Sequence, residues 1–246
     1  MTSVPLTFEV KRRWRDGIHS GSVPADPAPV SVHDSPAAPA SAPAPAARRR
    51  VVVLAGPSGS GKSRLARRLT ERHGWPVVRL DDFYRDGDDP RLPVLEMGIV
   101  DWDHPDSWHA DRAVAALTEL VTHGRVRVPQ YDISASRATG HATVHAGPDE
   151  VILAEGIFAA EIVPALAAQG LLLEAFCVRH NRWLTFWRRL LRDLSERRKP
   201  PLVLWRRGLL LCRQEPGVVA RQESLGARAC SPARAERVLA GHAVGS

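Results

Sequence analysis

Short apolar runs alternate with longer amphipathic stretches along most of the chain. The apolar runs predict strands at 51–55, 76–80, 125–128, 151–154 and 171–178. The amphipathic stretches predict helices at 64–72, 107–122, 161–169, 182–197 and 233–239, with Ser107 as the cap of the second. Because strands and helices alternate, we expect an α/β fold with a doubly wound parallel sheet and helices on both faces.

The first 48 residues have a different composition. Residues 20–47 are dominated by Pro, Ala, Ser and Asp and show no apolar periodicity. Such a segment cannot bury enough apolar surface to offset the loss of chain entropy on folding. We therefore predict a disordered Pro/Ala-rich tail at 1–48 and one folded domain at 49–246.

Targeting signals are not apparent in the sequence. The basic cluster at 11–13 is followed by no apolar core of the kind found in secretory signals, and no apolar run reaches the length of a membrane span, about 20 residues. Cys177, Cys212 and Cys230 are too widely spaced for a disulfide framework or a zinc site. These features predict a cytoplasmic protein with reduced thiols and no membrane partner.

A phosphate-binding loop follows the first predicted strand. Its residues are Gly56, Pro57, Ser58, Gly59, Ser60, Gly61, Lys62 and Ser63. The glycines let successive backbone N–H groups point at phosphate oxygens, Lys62 can reach the β- and γ-phosphates during catalysis, and the Ser63 hydroxyl can hold Mg²⁺. The setting between a strand and a helix is typical of P-loop NTPases, so we expect ATP and Mg²⁺ as cofactors.

The formal net charge of +7 comes largely from arginines between residues 179 and 213. An Arg-rich helix beside a phosphate-binding loop can serve nucleotide phosphates as well as a nucleic-acid backbone. Because the sequence contains no helix-turn-helix, zinc-finger or RNA-binding signature, we interpret residues 180–201 as an Arg-rich helical lid and do not expect a nucleic-acid partner.

Two carboxylates fall at the carboxyl ends of predicted strands, the edge of a parallel sheet where ligands bind. Asp81 follows the strand at 76–80, and Glu155 follows the strand at 151–154. With Ser63 they supply the hard oxygen ligands that Mg²⁺ prefers. An alcohol acceptor also needs a carboxylate to take its proton, and Asp81 is the candidate for that task.

The order of six short motifs resembles that of the uridine kinase family. These motifs are GPSGSGKS at 56–63, DDFY at 81–84, DWDHPD at 101–106, PQYD at 129–132, EGIF at 155–158 and RLLRDLSER at 189–197. The resemblance spans roughly residues 51–199. It implies transfer of the ATP γ-phosphoryl group to the 5′-hydroxyl of a pyrimidine ribonucleoside. Kinases of this family are often oligomers, so the resemblance also allows a homo-oligomer.

For catalysis, the resemblance assigns Asp81 as the base. Ser63 and Glu155 match the groups around Mg²⁺, with Asp81 close to them. Arg192 and Arg197 fall in the lid, where their guanidinium groups would neutralise charge on the transferring phosphoryl group.

For the acceptor, the resemblance assigns Asp103 and Arg189 to the ribose hydroxyls. Trp102 replaces a phenylalanine that lies against the base, and either ring could stack on a pyrimidine. Tyr131 matches a base-contacting position, and Tyr84 joins the acceptor-binding set.

Two departures from the family concern recognition of the base. The segment at 133–137 is one residue shorter than in the family and lacks its base-reading histidine, and Lys199 stands where the lid has an arginine. Lysine cannot make a planar bidentate contact. Phosphoryl transfer is therefore better supported than uridine as the acceptor.

The main hypothesis is an ATP- and Mg²⁺-dependent kinase of a small nucleoside-like acceptor, uridine or cytidine by resemblance. Two alternatives remain open. One is a kinase of another small alcohol, such as pantothenate, a riboside or a sugar phosphate. The other is a nucleotide-dependent switch or ATPase, which would hydrolyse ATP without an acceptor.

Overall fold

Strands and helices alternate through the part of the chain that the structure, a computed structural model, describes: residues 49–96, 98–180, 213 and 215–243. The strands are β1 (Arg50–Ala55), β2 (Val77–Arg79), β3 (Arg125–Asp132), β4 (Arg137–His145), β5 (Val151–Glu155), β6 (Leu172–Val178) and β7 (Arg228–Cys230). The helices are α1 (Lys62–His73), α2 (Ala110–His123), α3 (Val163–Ala168), α4 (residues 215–224) and α5 (Pro232–Ala243). Short 3₁₀ turns cover Leu80–Phe83, Pro105–Ser107 and Ala159–Ile162.

A five-stranded sheet forms the centre of the fold, with the strand order β2-β5-β1-β6-β7. All four neighbouring pairs are parallel. β1 lies in the middle, where Leu54 is in register with Glu155 of β5 on one side and Phe176 of β6 on the other. The carboxyl ends of three strands therefore surround the loop that leaves β1, and the predicted parallel sheet is confirmed.

Helices cover both faces of this sheet. Alternate residues of β1 point to opposite faces, as the pleat of a strand requires. Val52 and Leu54 pack with α1 and α5 in one buried cluster, and Val51 and Val53 pack with α2, α3 and α4 in another. Burial of both faces explains why β1 and β5 are continuous apolar runs, and it confirms the doubly wound α/β fold.

The predicted strand at 125–128 is longer than expected and lies outside the parallel sheet. β3 pairs with β4 in a separate antiparallel hairpin, with a register shift between Gln130 and Tyr131. β4 was not predicted, because its residues are mostly polar or small and are at least partly exposed. The short strand β7 was missed as well.

The prediction that Ser107 caps α2 is wrong. Ser107 lies in a 3₁₀ turn, where its hydroxyl donates a hydrogen bond of 3.2 Å to the carbonyl oxygen of Trp102. His109 occupies the N-cap position instead, without a capping hydrogen bond from its side chain. The terminal helix predicted at 233–239 is confirmed as part of α5.

The predicted tail at 1–48 and nearly all of the predicted lid at about 180–201 lie outside the described residues. The assignment of residues 49–246 to one kinase domain stays a prediction. Within the described part of the chain, no helix has both the length and the apolar character needed to cross a membrane.

Candidate active site

The loop between β1 and α1 is built from glycines in backbone conformations that other residues rarely adopt. Gly56, Gly59 and Gly61 have φ angles of 136°, 79° and 96°. A Cβ atom on Gly56 would lie 2.2 Å from the carbonyl oxygen of Val178, at the end of β6. Only glycine therefore allows the loop to turn this close to the neighbouring strand.

Lys62 is the first residue of α1, yet its side chain is buried and folds back over the loop. Its ammonium donates hydrogen bonds to the carbonyl oxygens of Gly56, at 2.9 Å, and Pro57, at 3.2 Å. The hydroxyl of Ser60 is also buried and has no hydrogen-bond partner among the described residues. A held cation, an unpaired hydroxyl and a helix N-terminus in one loop fit a phosphate group.

Ser63, in the first turn of α1, meets Glu155 at the carboxyl ends of the paired strands β1 and β5. The Ser63 hydroxyl donates a hydrogen bond of 3.0 Å to Glu155 Oε2. Burial raises the pKa of the Glu155 carboxyl above its ordinary value; nearby Asp81 reinforces this shift, whereas Lys62 and the Ser63 hydrogen bond oppose it. A buried carboxylate beside a hydroxyl and a second carboxylate fits the hard ligand set of Mg²⁺.

Asp81 reaches the same edge of the sheet from β2. It lies in the 3₁₀ turn that follows β2, and its Oδ1 accepts a hydrogen bond of 3.1 Å from the backbone N–H of Ile157. β2 pairs with β5 so that Arg79 is in register with Glu155, which brings the two strand ends together. A Cβ on Gly156 would lie 3.0 Å from Asp81 Oδ1, so the two segments are in close contact.

An aromatic cluster surrounds Tyr84, three residues after Asp81 in the chain. The ring of Tyr84 is 5.9 Å from Trp102, 5.8 Å from Tyr131 and 6.0 Å from Phe158, measured between centroids. Phe158 also stacks on the buried ring of Trp108, at 6.2 Å. The structure thus brings together three residues predicted to bind the acceptor, and it adds Phe158 and Trp108, which were missed because each reads as a core residue.

Hydrogen bonds within the protein hold the hydroxyl groups of both tyrosines. Tyr84 donates to the carbonyl oxygen of Trp102 at 3.3 Å, and Tyr131 donates to the carbonyl oxygen of Arg85 at 3.0 Å. Burial raises the pKa of Tyr84 above its ordinary value and that of Tyr131 to about 12. Both phenols are therefore neutral at physiological pH, and neither can act as a base there.

The β3–β4 hairpin is fastened to the segment at 82–87. The backbone N–H of Tyr131 donates to Asp82 Oδ1 at 3.3 Å, and that of Ala138 donates to Asp86 Oδ1 at 2.9 Å. The N–H of Gly87 donates to the carbonyl oxygen of Ser136 at 2.6 Å. The shortened hairpin therefore packs against the DDFY segment.

Asp103 is exposed beside the aromatic cluster, and its charge contributes to the raised pKa of Tyr84. Its backbone N–H donates to Asp101 Oδ1 at 3.1 Å, which shapes the turn that carries it. The other predicted partner of the ribose, Arg189, and the lid arginines Arg192 and Arg197 lie outside the described residues.

A cleft of about 340 Å³ opens near the phosphate-binding loop, on the side of β1 where β6 and β7 lie. Its lining comes from the ends of β6 and β7 and includes Arg179, His180 and Ser231. His180 lies 3.8 Å from the position of a Cβ on Gly61. These residues were missed, because nothing in the sequence connects the end of β6 with a strand some 50 residues later.

The parallel sheet, the glycine loop after its central strand and the buried Lys62 define the class of P-loop nucleotide-binding proteins. A family model described as an AAA domain matches residues 51–124. The chain is 31% identical to the uridine kinase of Bacillus licheniformis over 150 residues, which cover 60% of this chain and 68% of the relative. It is 33% identical to the uridine kinase of Leuconostoc citreum over 153 residues, which cover 60% and 70% of the two chains.

The chain therefore belongs to the uridine kinase family, and it is an ATP-dependent phosphotransferase. A solved structure of a candidate fructose transport system kinase from Silicibacter sp. TM1040 has the same fold, with a TM-score of 0.54. That alignment covers 77% of this chain and 89% of the other at 19% identity.

Proposed function

We propose that the protein transfers the γ-phosphoryl group of ATP to the 5′-hydroxyl of a pyrimidine nucleoside, uridine or cytidine. The observation that carries this proposal is the position of Asp81. Its charge raises the pKa of Glu155, which is bonded to Ser63 of the phosphate-binding loop, and also the pKa of Tyr84 in the aromatic cluster. A base and an acceptor site joined in this way are what phosphoryl transfer to an alcohol requires.

In this proposal the phosphate-binding loop, residues 56–63, holds the phosphates of ATP. Lys62 already spans the loop carbonyls and would contact the β- and γ-phosphates. Ser63, Glu155 and Asp81 would hold Mg²⁺, which when bound neutralises charge on the β- and γ-phosphates. Lys62 and Glu155 are buried, which strengthens the electrostatic contacts that these two side chains would make.

Asp81 would accept the proton of the acceptor hydroxyl as that oxygen attacks the γ-phosphorus. The hydrogen bond from the Ile157 N–H occupies Oδ1. Oδ2 would then be the oxygen that takes the proton of the acceptor. Arg192 and Arg197 would neutralise the transferring group from the lid.

The aromatic cluster would bind the base. Trp102 and Tyr131 flank Tyr84. Their rings offer flat apolar surface to a pyrimidine, and Asp103 at the edge of the cluster would accept hydrogen bonds from the ribose hydroxyls, together with Arg189.

A second candidate function is phosphorylation of a different small alcohol. The specific observation in its favour is that the hydroxyls of Tyr84 and Tyr131 are both bonded to backbone carbonyls. Together with the missing histidine and with Lys199, this leaves few polar groups for reading the edge of a pyrimidine. A sugar phosphate or a pantothenate-like acceptor needs no such reading.

The test is ATP consumption with Mg²⁺ across uridine, cytidine, purine nucleosides, pantothenate, sugar phosphates and a control without acceptor, with products identified by mass. Formation of uridine or cytidine monophosphate supports the proposal. Turnover only with another alcohol moves the assignment to the second candidate. Turnover without any acceptor contradicts both and indicates an ATPase or switch.

A further inference from the structure

Helix α4 contributes a buried polar side chain to the back of the candidate active site. Gln222 is only 5% exposed, and its Nε2 donates a hydrogen bond of 3.0 Å to the carbonyl oxygen of Ile157. A carbonyl oxygen can only accept, so the amide nitrogen must be the atom that faces it. The orientation of the Gln222 amide is therefore determined by this contact.

The same residue, Ile157, is the donor to the candidate base. Its backbone N–H donates to Asp81 Oδ1 at 3.1 Å. The backbone of Ile157 is thus held at its carbonyl by Gln222 and holds Asp81 by its N–H. The next residue, Phe158, packs against Tyr84 of the aromatic cluster. A shift of Ile157 would consequently move both the base and the acceptor site.

The other end of the Gln222 amide is not explained by packing. Its Oε1 is buried and has no hydrogen-bond partner among the described residues. A buried acceptor without a donor disfavours the folded state, whereas an apolar side chain of the same size avoids that cost. Among the described residues, the hydrogen bond from its N–H to the carbonyl oxygen of Ile157 is the contact that explains a glutamine at this position.

We propose that Gln222 is a positioning residue for phosphoryl transfer. By fixing the carbonyl of Ile157, it keeps the Ile157 N–H on Asp81 Oδ1 and leaves Oδ2 directed at the acceptor hydroxyl. This inference rests on the proposed function, because it takes Asp81 as the base. It also gives a role to the C-terminal part of the chain, which lies beyond the motifs of the family.

The neighbouring residue provides a matched control. Arg221 lies on the same helix and makes two hydrogen bonds to Glu161, at 3.0 and 3.3 Å. Its side chain is 57% exposed. Arg221 therefore ties α4 to the 3₁₀ turn at Ala159–Ile162, and the bond to the carbonyl of Ile157 comes from Gln222.

The experiment compares Gln222→Met with Arg221→Met in steady-state kinetics. The substrates are ATP and uridine, or ATP and whichever acceptor supports ATP consumption in the test described above. A misplaced reacting group commonly costs turnover more than binding. For Gln222→Met we expect kcat to fall about ten- to a hundredfold, with the KM for ATP changed less than about twofold. Arg221→Met should leave both parameters unchanged.

A double-mutant cycle with Asp81→Asn separates positioning from a general structural effect. If Gln222 acts through Asp81, Gln222→Met should lower kcat by no more than about twofold in the Asp81→Asn background. An equal loss in both backgrounds would overturn the proposal, and so would an unchanged kcat in Gln222→Met. If Asp81→Asn itself retains full kcat, the proposed function has failed instead.

A second variant covers the case in which Gln222→Met does not fold. Gln222→Asn keeps the amide but shortens the side chain by one methylene group, so its N–H falls short of Ile157. We expect it to fold and to lose kcat in the same way. Failure of both variants to fold, judged by circular dichroism, would show that Gln222 is required for the structure itself and would contradict the positioning role.

Discussion

The Ser63 hydroxyl donates a hydrogen bond to Glu155 across the carboxyl ends of two neighbouring strands, at a distance of 3.0 Å. One residue belongs to the phosphate-binding loop and its helix, and the other ends a strand that begins some 90 residues later. Glu155 is only 6% exposed, and burial raises its pKa. This carboxylate is therefore held in the fold at a cost to stability.

The first prediction concerns Glu155→Gln. The glutamine side chain has the shape of glutamate and can still accept the hydrogen bond from Ser63. The substitution removes a buried carboxyl group whose charged form is disfavoured by burial. We expect an unchanged or higher melting temperature together with a fall in kcat of about a hundredfold and a higher Mg²⁺ requirement. Calorimetry and a Mg²⁺ titration of the rate measure both effects. Glu71→Gln, on the exposed face of α1, is the control; a parallel loss of activity there would contradict the assignment.

The second prediction separates Asp81 from Lys62. Asp81→Asn removes the proton acceptor but not the phosphate-binding loop, so kcat should fall by about 10²- to 10⁴-fold while ATP binding is retained. Lys62→Ala removes the cation that spans the loop and should weaken ATP binding. Calorimetric titration with a non-hydrolysable ATP analogue distinguishes the two. Equal loss of ATP affinity in both variants would argue against Asp81 as the base.

The third prediction concerns the contact between β2 and β5. In Gly156→Ala the new Cβ would lie 2.9 Å from Leu80 Cβ and 3.0 Å from Asp81 Oδ1. Since backbone-anchored atoms must move to make room, we expect a loss of stability of about 1–3 kcal/mol and a lower kcat. Denaturant unfolding and steady-state kinetics measure the two effects.

Gly217→Ala is the matched control for that substitution. Gly217 lies in α4, and a Cβ on it would meet no atom of the described residues within 4 Å. Alanine is favoured over glycine in a helix by about 0.5–1 kcal/mol, so this variant should be slightly more stable than the wild type. An active and stable Gly156→Ala would show that the segment at 80–83 can move without consequence.

Much of the central fold could be predicted because the local signals agree with the tertiary structure. The apolar run before Gly56 is a strand buried on both faces, and the glycine pattern that follows it has a single structural explanation. The same holds for Glu155, whose position at the end of an apolar run placed it next to Ser63. Periodicity and motif spacing are sufficient to predict a strand, a loop or a site residue when the pattern lies within one continuous segment.

The remaining features depend on contacts between distant segments. In the part of the chain that the structure describes, β4 pairs with β3 alone and is largely exposed, and its sequence lacks the apolar alternation of a core strand. Serine is a common helix cap, but the hydroxyl of Ser107 donates its hydrogen bond to the carbonyl oxygen of Trp102. Gln222 acts through a partner on another element, and no local pattern marks it; Phe158 belongs to the EGIF motif, but the motif does not show that its ring packs on Tyr84. The roles of such residues can be recognised only from the folded structure, because their partners are distant in sequence.

The last prediction concerns acid stability and His109. This side chain is 8% exposed, and burial lowers its pKa below 6.5; Arg112 and Arg85 add to the shift, and Asp111 opposes it. Above pH 6.5 the imidazole is neutral in both the folded and the unfolded chain, so its protonation does not change the free energy of unfolding. As the pH falls below 6.5, the unfolded chain binds the proton first, and the folded state loses stability until the pH reaches the lower pKa of the folded protein.

Replacement of this histidine should therefore reduce the loss of stability between pH 7 and pH 5. The slope attributable to one proton is at most about 1.4 kcal/mol per pH unit, and His109→Gln should remove up to that amount. Urea unfolding at several pH values gives the free energy of unfolding for each protein. If His109→Gln loses stability with acid as steeply as the wild type, His109 is not responsible for the acid sensitivity.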